Sequence, residues 1–127
     1  MPEKTHAGLT GRHILVVEDE VLIALDIETA LEMQGAKVHG PITRLAEGLS
    51  IAENSAEEFD GAILDINLQG EEVFPIAEVL SAKGVPFLFH TGHGDSRTLQ
   101  QQYAKAPVCN KPCQTETLLS ELERLVS

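Results

Sequence analysis

Acidic, hydroxyl and basic side chains stand at the ends of apolar stretches in this chain. "HILVVEDE" (13–20) runs into Glu18, Asp19 and Glu20, "AILDIN" presents Asp65, "FLFHTG" ends on Thr91 and Gly92, and "NKP" carries Lys111. Carboxylates crowded into one crevice cannot all ionise cheaply unless a cation sits among them. Carboxylates, a carbonyl and several waters suit magnesium, which keeps part of its water shell and works together with phosphate groups. Asp65 follows an apolar strand and precedes a turn, so its carboxylate is fixed yet accessible. A carboxylate attacks phosphorus to give an aspartyl phosphate when cations neutralise the equatorial oxygens of the transferring group. Lys111 supplies one such cation. Glu20 reads differently: an acid at a helix start complements the helix dipole.

These residues meet only if the intervening chain brings strand ends together. "HILVVE" is a β-rich run, and "EVLIALDIETALEMQG" a helix with Gly35 placed to cap it. "AKVHG" reads as a strand, 43–55 as a second helix, and "DGAILDI" as a third, wholly apolar strand. "NLQGE" turns, and "EEVFPIAEVLSAKG" reads as a third helix ending at Gly84, with Pro75 near its start, where a proline breaks no intrahelical bond. "VPFLFHT" and "PVCN" complete five strands, and "QTETLLSELERLVS" closes the chain with Leu118, Leu122 and Leu125 on one stripe. The stretch 94–106 offers only Leu99 and Tyr103 as a helix-spaced apolar pair, so a fourth helix there is expected to be short or mobile. Apolar strands alternating with helices predict a parallel sheet covered on both faces. In such sheets the ligand site lies outside the carboxyl ends of the strands. That rule gathers Glu18, Asp19, Asp65, Thr91 and Lys111 on one rim.

Composition narrows the function. A chain of 127 residues supports one domain. "MPEKTHAGLTGR" has no apolar periodicity, so residues 1–11 are expected to be a flexible tail and 12–127 the domain. No apolar run approaches a membrane span and no leader pattern opens the chain, so a cytoplasmic setting is expected. A formal charge of −11 opposes contact with nucleic acid or an anionic membrane. Cys109 and Cys113 build no disulfide framework and are expected to be reduced thiols. His13, His39, His90 and His93 show no metal-ligand spacing, and "TGHG" lacks a Walker lysine.

Taken in order, "VVEDE", "LDINL", Thr91–Gly92 and "NKP" resemble the receiver domains of two-component response regulators. The resemblance spans Arg12 to Val126 and implies a flavodoxin-like (βα)5 fold. It implies that Asp65 accepts the phosphoryl group, that Thr91 and Lys111 respond to it, and that the Lys111–Pro112 bond is cis. It further implies a magnesium ion held by Asp19, Asp65 and the backbone carbonyl of Asn67, with Glu18 acting directly or through water. "PFLFHTGHG" looks like the Phe-Ala-Thr-Gly motif of a subgroup of stand-alone receivers, associated with histidine kinases of the HWE type. His90 stands where that motif has alanine, and Val108 where most receivers carry an aromatic switch residue. His93, two places beyond Thr91, falls where family members tune water access to the phosphoryl group.

The expected function is that of a single-domain response regulator rather than a turnover enzyme. It takes a phosphoryl group from a sensor histidine kinase onto Asp65, then engages a downstream protein partner or drains phosphate as a sink. The alternative is an unphosphorylated docking module in which the acids only stabilise the fold. A dedicated phosphatase of the haloacid type fits less well, because it wants a second aspartate where Asn67 stands.

Overall fold

The apolar segments become the strands of one parallel sheet in the computed structural model, which describes residues 5–92, 99 and 101–127. They are β1 (His13–Val17), β2 (Lys37–Ile42), β3 (Gly61–Leu64), β6 (Phe87–Thr91) and β7 (Val108–Asn110), in the order β2-β1-β3-β6-β7. The other two strands, β4 (Asn67–Leu68) and β5 (Glu71–Glu72), form a small antiparallel hairpin after β3. Four helices are described: α1 (Val21–Met33), α2 (Leu45–Ser55), α3 (Phe74–Ala82) and α4 (Thr115–Val126).

The central strands β1, β3 and β6 are largely apolar on both faces because each face meets its own core. Successive side chains of a strand point to opposite sides. Accordingly Leu15, Val17, Ala62, Leu64, Phe87 and Phe89 join a cluster with Ala52 of α2 and Ile76, Ala77 and Leu80 of α3. Their neighbours Ile14, Val16, Ile63 and Leu88 face Ile27 and Leu31 of α1 and Leu118, Leu119 and Leu122 of α4. The sheet is thus covered on both faces, a flavodoxin-like α/β arrangement. Helix α1 is apolar almost all round, so burying Ala24, Ile27 and Leu31 leaves Val21, Leu22, Leu25 and Met33 exposed. It ends as expected, with Gly35 at φ 83° and Ala36 N donating to Leu31 O.

The structure departs from the sequence reading in three places. Strand β2 continues through a cis Gly40–Pro41 bond to Ile42, with a register shift against β1 between Leu15 and Val17. An edge strand tolerates proline, and only glycine fits position 40, where φ is 124° and a Cβ would stand 2.5 Å from Val16 O. Glu71 and Glu72 pair with the β4 residues rather than opening α3, which leaves Pro75 in that helix's first turn. The third departure corrects the flexible tail expected over residues 1–11. Its described part, from Thr5, packs on the domain: Ala7–Leu9 make a 3-10 turn, and His6 and Leu9 are fully buried. Leu9 joins the α1/α4 core, and polar partners from α1's end and α4 hold His6. Most of the expected fourth helix lies outside the described residues. Of it, Leu99, Gln101 and Gln102 are helical, and Tyr103 N donates to Leu99 O. No described helix is long and apolar enough to cross a membrane.

Candidate functional site

Backbone bonds carry the sheet's order one residue past the strands and set the acids in place. Asp65 N donates to Val17 O, and Glu18 N to Ile42 O. Lys111 N donates to Thr91 O at 2.7 Å, tying the loop after β7 to the end of β6. Glu18, Asp19, Glu20 and Asp65 therefore converge, each offering a carboxylate oxygen within 4.8 Å of the others. Among the described residues no other His, Cys, Asp or Glu cluster gathers like this. Glu18, Asp65 and Thr91 are buried, Asp19 is half-buried and Glu20 is exposed.

Lys111 joins this group. Its Nζ lies 3.2 Å from Glu18 Oε1, 3.1 Å from Glu20 Oε1 and 3.2 Å from Asp65 Oδ2. Burial alone would lower its pKa, but the hydrogen bond to Glu20 and the charges of Glu18 and Asp65 outweigh burial and raise it. Glu18 moves the other way for a carboxyl: burial first, then the hydrogen bond and charge of Asp65, push it up to about 8. One ammonium does not satisfy this many acids. Glu18 Oε1 accepts no hydrogen bond among the described residues, although Lys111 lies close to it.

Turn geometry trims the remaining acids. Asp65 Oδ1 accepts from Asn67 N at 3.3 Å, and Glu18 Oε2 from Glu20 N at 3.1 Å. The β4–β5 turn has Gln69 at φ 53° and Gly70 at φ 91°, the left-handed pair of a tight hairpin. Its Gln69 N donates to Asp19 Oδ2 at 2.9 Å, and Gly70 N to Asn67 Oδ1 at 2.8 Å. Hard oxygen donors around a buried, unsatisfied carboxylate oxygen fit a magnesium ion. Glu18, Asp19, Glu20 and Asp65 are the carboxylates whose oxygens gather closely enough to hold one.

All the site residues read from the sequence, Glu18, Asp19, Asp65, Asn67, Thr91 and Lys111, fall on this rim. The Lys111–Pro112 bond is cis. Glu20 is the residue that reading missed. It stands at the N-cap of α1 without a side-chain cap bond and turns its carboxylate to Lys111. The one available signal was its place in the acidic run. Val108 is half-buried, and Tyr103 lies on this side of the sheet, stacked on Phe74 and 5.3 Å from Phe89. At the far end of β1, His13 Nδ1 and His39 Nε2 lie 2.9 Å apart, remote from the acids in the strand register. His93 lies outside the described residues.

No family model and no curated protein matches this chain. Solved structures do match. A response regulator receiver protein from Sinorhizobium medicae superposes with a TM-score of 0.81 at 22% identity, over 91% of this chain and 94% of that one. The non-phosphorylated receiver domain of HemR from Leptospira biflexa is 28% identical, with a TM-score of 0.77 and the same coverage of 91% and 94%. The receiver domain of the sensor histidine kinase PA1611 from Pseudomonas aeruginosa, whose structure has magnesium in the active-site cleft, reaches a TM-score of 0.77 at 22% identity, over 92% and 98% of the two chains. Strand order, helix placement and these likenesses agree that the chain has the fold of a response-regulator receiver domain.

Proposed function

We propose that this domain accepts a phosphoryl group on Asp65 from the phosphohistidine of a sensor histidine kinase, in a magnesium-dependent reaction within the cytoplasm. The observation that carries the reading is Asp65 itself: a buried carboxylate at a strand end, with Oδ2 3.2 Å from Lys111 Nζ and three further carboxylates beside it. An Asp65 oxygen forms the new O–P bond as the N–P bond of the donor breaks, and the electron pair leaves with the imidazole. Lys111 neutralises charge on the transferring group. Bound magnesium would supply further charge neutralisation and orient the phosphoryl oxygens. Glu18, Asp19, Asp65 and the Asn67 carbonyl would hold it.

The product adds a charge of about −1.5 to −2 to the rim. Thr91 and Lys111, already joined through the Lys111 N to Thr91 O bond, are the groups placed to respond. The chain then serves as a phosphoacceptor that assists its own modification, and its output is a phosphorylation-dependent protein contact or the draining of phosphate from the kinase. The likeness of "PFLFHTGHG" to the Phe-Ala-Thr-Gly subgroup favours a kinase of the HWE type.

Intact mass after incubation with acetyl phosphate and magnesium tests this. Wild type should gain one phosphoryl group, and Asp65→Asn or added chelator should prevent the gain. A folded wild type that gains nothing from acetyl phosphate or from a phosphorylated kinase would defeat the reading.

A further inference from the structure

Beside the acidic rim lies a histidine that the chemistry above does not use. His90 is in β6, one residue before Thr91, and is 4% exposed. Neither of its ring nitrogens has a hydrogen-bond partner among the described residues. A buried polar group without a partner costs stability, and an apolar side chain of similar size would avoid that cost. Nδ1 lies 3.8 Å from Glu18 Oε1, itself without a hydrogen bond among the described residues. That is too long for a hydrogen bond and short enough for a modest turn of either side chain to make one. The ring borders a cavity of about 150 Å³, lined in part by Ile23, Ile27, Cys113 and Leu118, which gives it room to turn.

We propose that His90 is a positioning residue for the cation seat, donating its Nδ1–H to Glu18 Oε1 and thereby holding that carboxylate in one orientation. This rests on the reading of the acidic cluster as a magnesium site. A donor that hydrogen-bonds a metal-binding carboxylate from behind fixes its orientation and sustains metal affinity. The pairing also satisfies, with a single bond, two of the three buried atoms that lack a partner here, Glu18 Oε1 and His90 Nδ1. Lys111, at 3.2 Å from the same oxygen, holds Glu18 while the seat is empty of cation, and His90 keeps the carboxylate in place when the ammonium is drawn to other anions.

Titration with magnesium chloride, followed by backbone amide NMR, tests the assignment with no phosphoryl donor present and reports folding in the same spectra. Wild type, His90→Asn, His90→Gln and His90→Leu are compared, with Asp65→Asn marking which shifts belong to the seat. Asparagine sets an N–H near the position of Nδ1, whereas the longer glutamine reaches toward Nε2 and leucine has no donor. His90→Leu and His90→Gln should bind magnesium about tenfold more weakly, and His90→Asn should restore most of the affinity. Leucine binding as tightly as histidine would overturn the positioning role, and asparagine as weak as leucine would overturn donation from Nδ1. A wild type without saturable shifts would remove the magnesium reading itself, and this proposal with it.

Discussion

His6 and His90 are both shielded from solvent and both face glutamate, yet their ring nitrogens are treated differently. His6 Nε2 lies 2.8 Å from Glu116 Oε2 and Nδ1 3.1 Å from Glu123 Oε1. The bonds continue around it: Gly8 N donates to Glu123 Oε2, and His6 N to Gln34 Oε1, both at 2.8 Å. These bonds fasten the start of the chain to α4 and to Gln34 at the end of α1. His90 makes no such bond among the described residues, and the glutamate beside it is also short of one. Natural chains carry such local costs at sites that act and satisfy polar groups elsewhere. The His6 cluster therefore serves the fold, and the His90–Glu18 pair serves the site.

If that contrast holds, the unsatisfied pair should dominate the pH dependence of stability. The pKa of Glu18 rises from 4.5 to about 8 in the fold, so across that window the folded chain holds a proton that the unfolded chain has lost. Stability therefore falls as pH rises through the window. Below 6.5 His90 opposes this trend. Its pKa is pushed down by burial and by the Lys111 charge, so acid charges it in the unfolded chain first and costs the fold stability. Denaturant midpoints without metal should decline from about pH 6.5 to about pH 8, and magnesium, by taking the place of the proton on Glu18, should flatten the decline. A flat metal-free profile would break the comparison at its acidic end.

The next effect should come from the other histidine. His6→Ala strips partners from Glu116 and Glu123 and opens the covering over Leu9, which should cost about 3 kcal/mol, read from the urea midpoint, while magnesium affinity stays unchanged. Altered metal binding would mean that the two clusters are coupled. The smallest effect should have the opposite sign. His90→Leu replaces an unpaired buried ring by an apolar side chain and should raise metal-free stability by about 1 kcal/mol. A loss instead of a gain would show that the imidazole is already satisfied.

Much of this fold was legible because strands buried on both faces must be apolar throughout, and "ILVV", "AIL" and "FLF" are so. The rim followed from the rule that sites lie beyond strand ends. Long-range polar pairing stayed hidden. His6 meets Glu116 and Glu123 from 110 and 117 residues away, and nothing in "MPEKTHAGLTGR" announces those partners. Glu20 was assigned to the helix dipole because a position at a helix start reveals nothing of a lysine 91 residues later. The sheet edge was misjudged at Gly40–Pro41 because the bulge there depends on β1 rather than on local preference.

Lys111 also makes the rim chemically reportable. An amine held by three carboxylates, with its pKa raised, is a poor nucleophile toward acylating reagents, whereas Lys37 and Lys105 stand exposed. Brief labelling should modify those two first and leave Lys111 unmarked. A cation that claims Glu18 and Asp65 would release the amine and quicken its acylation, so the labelling rate of this one lysine would record how full the acidic seat is.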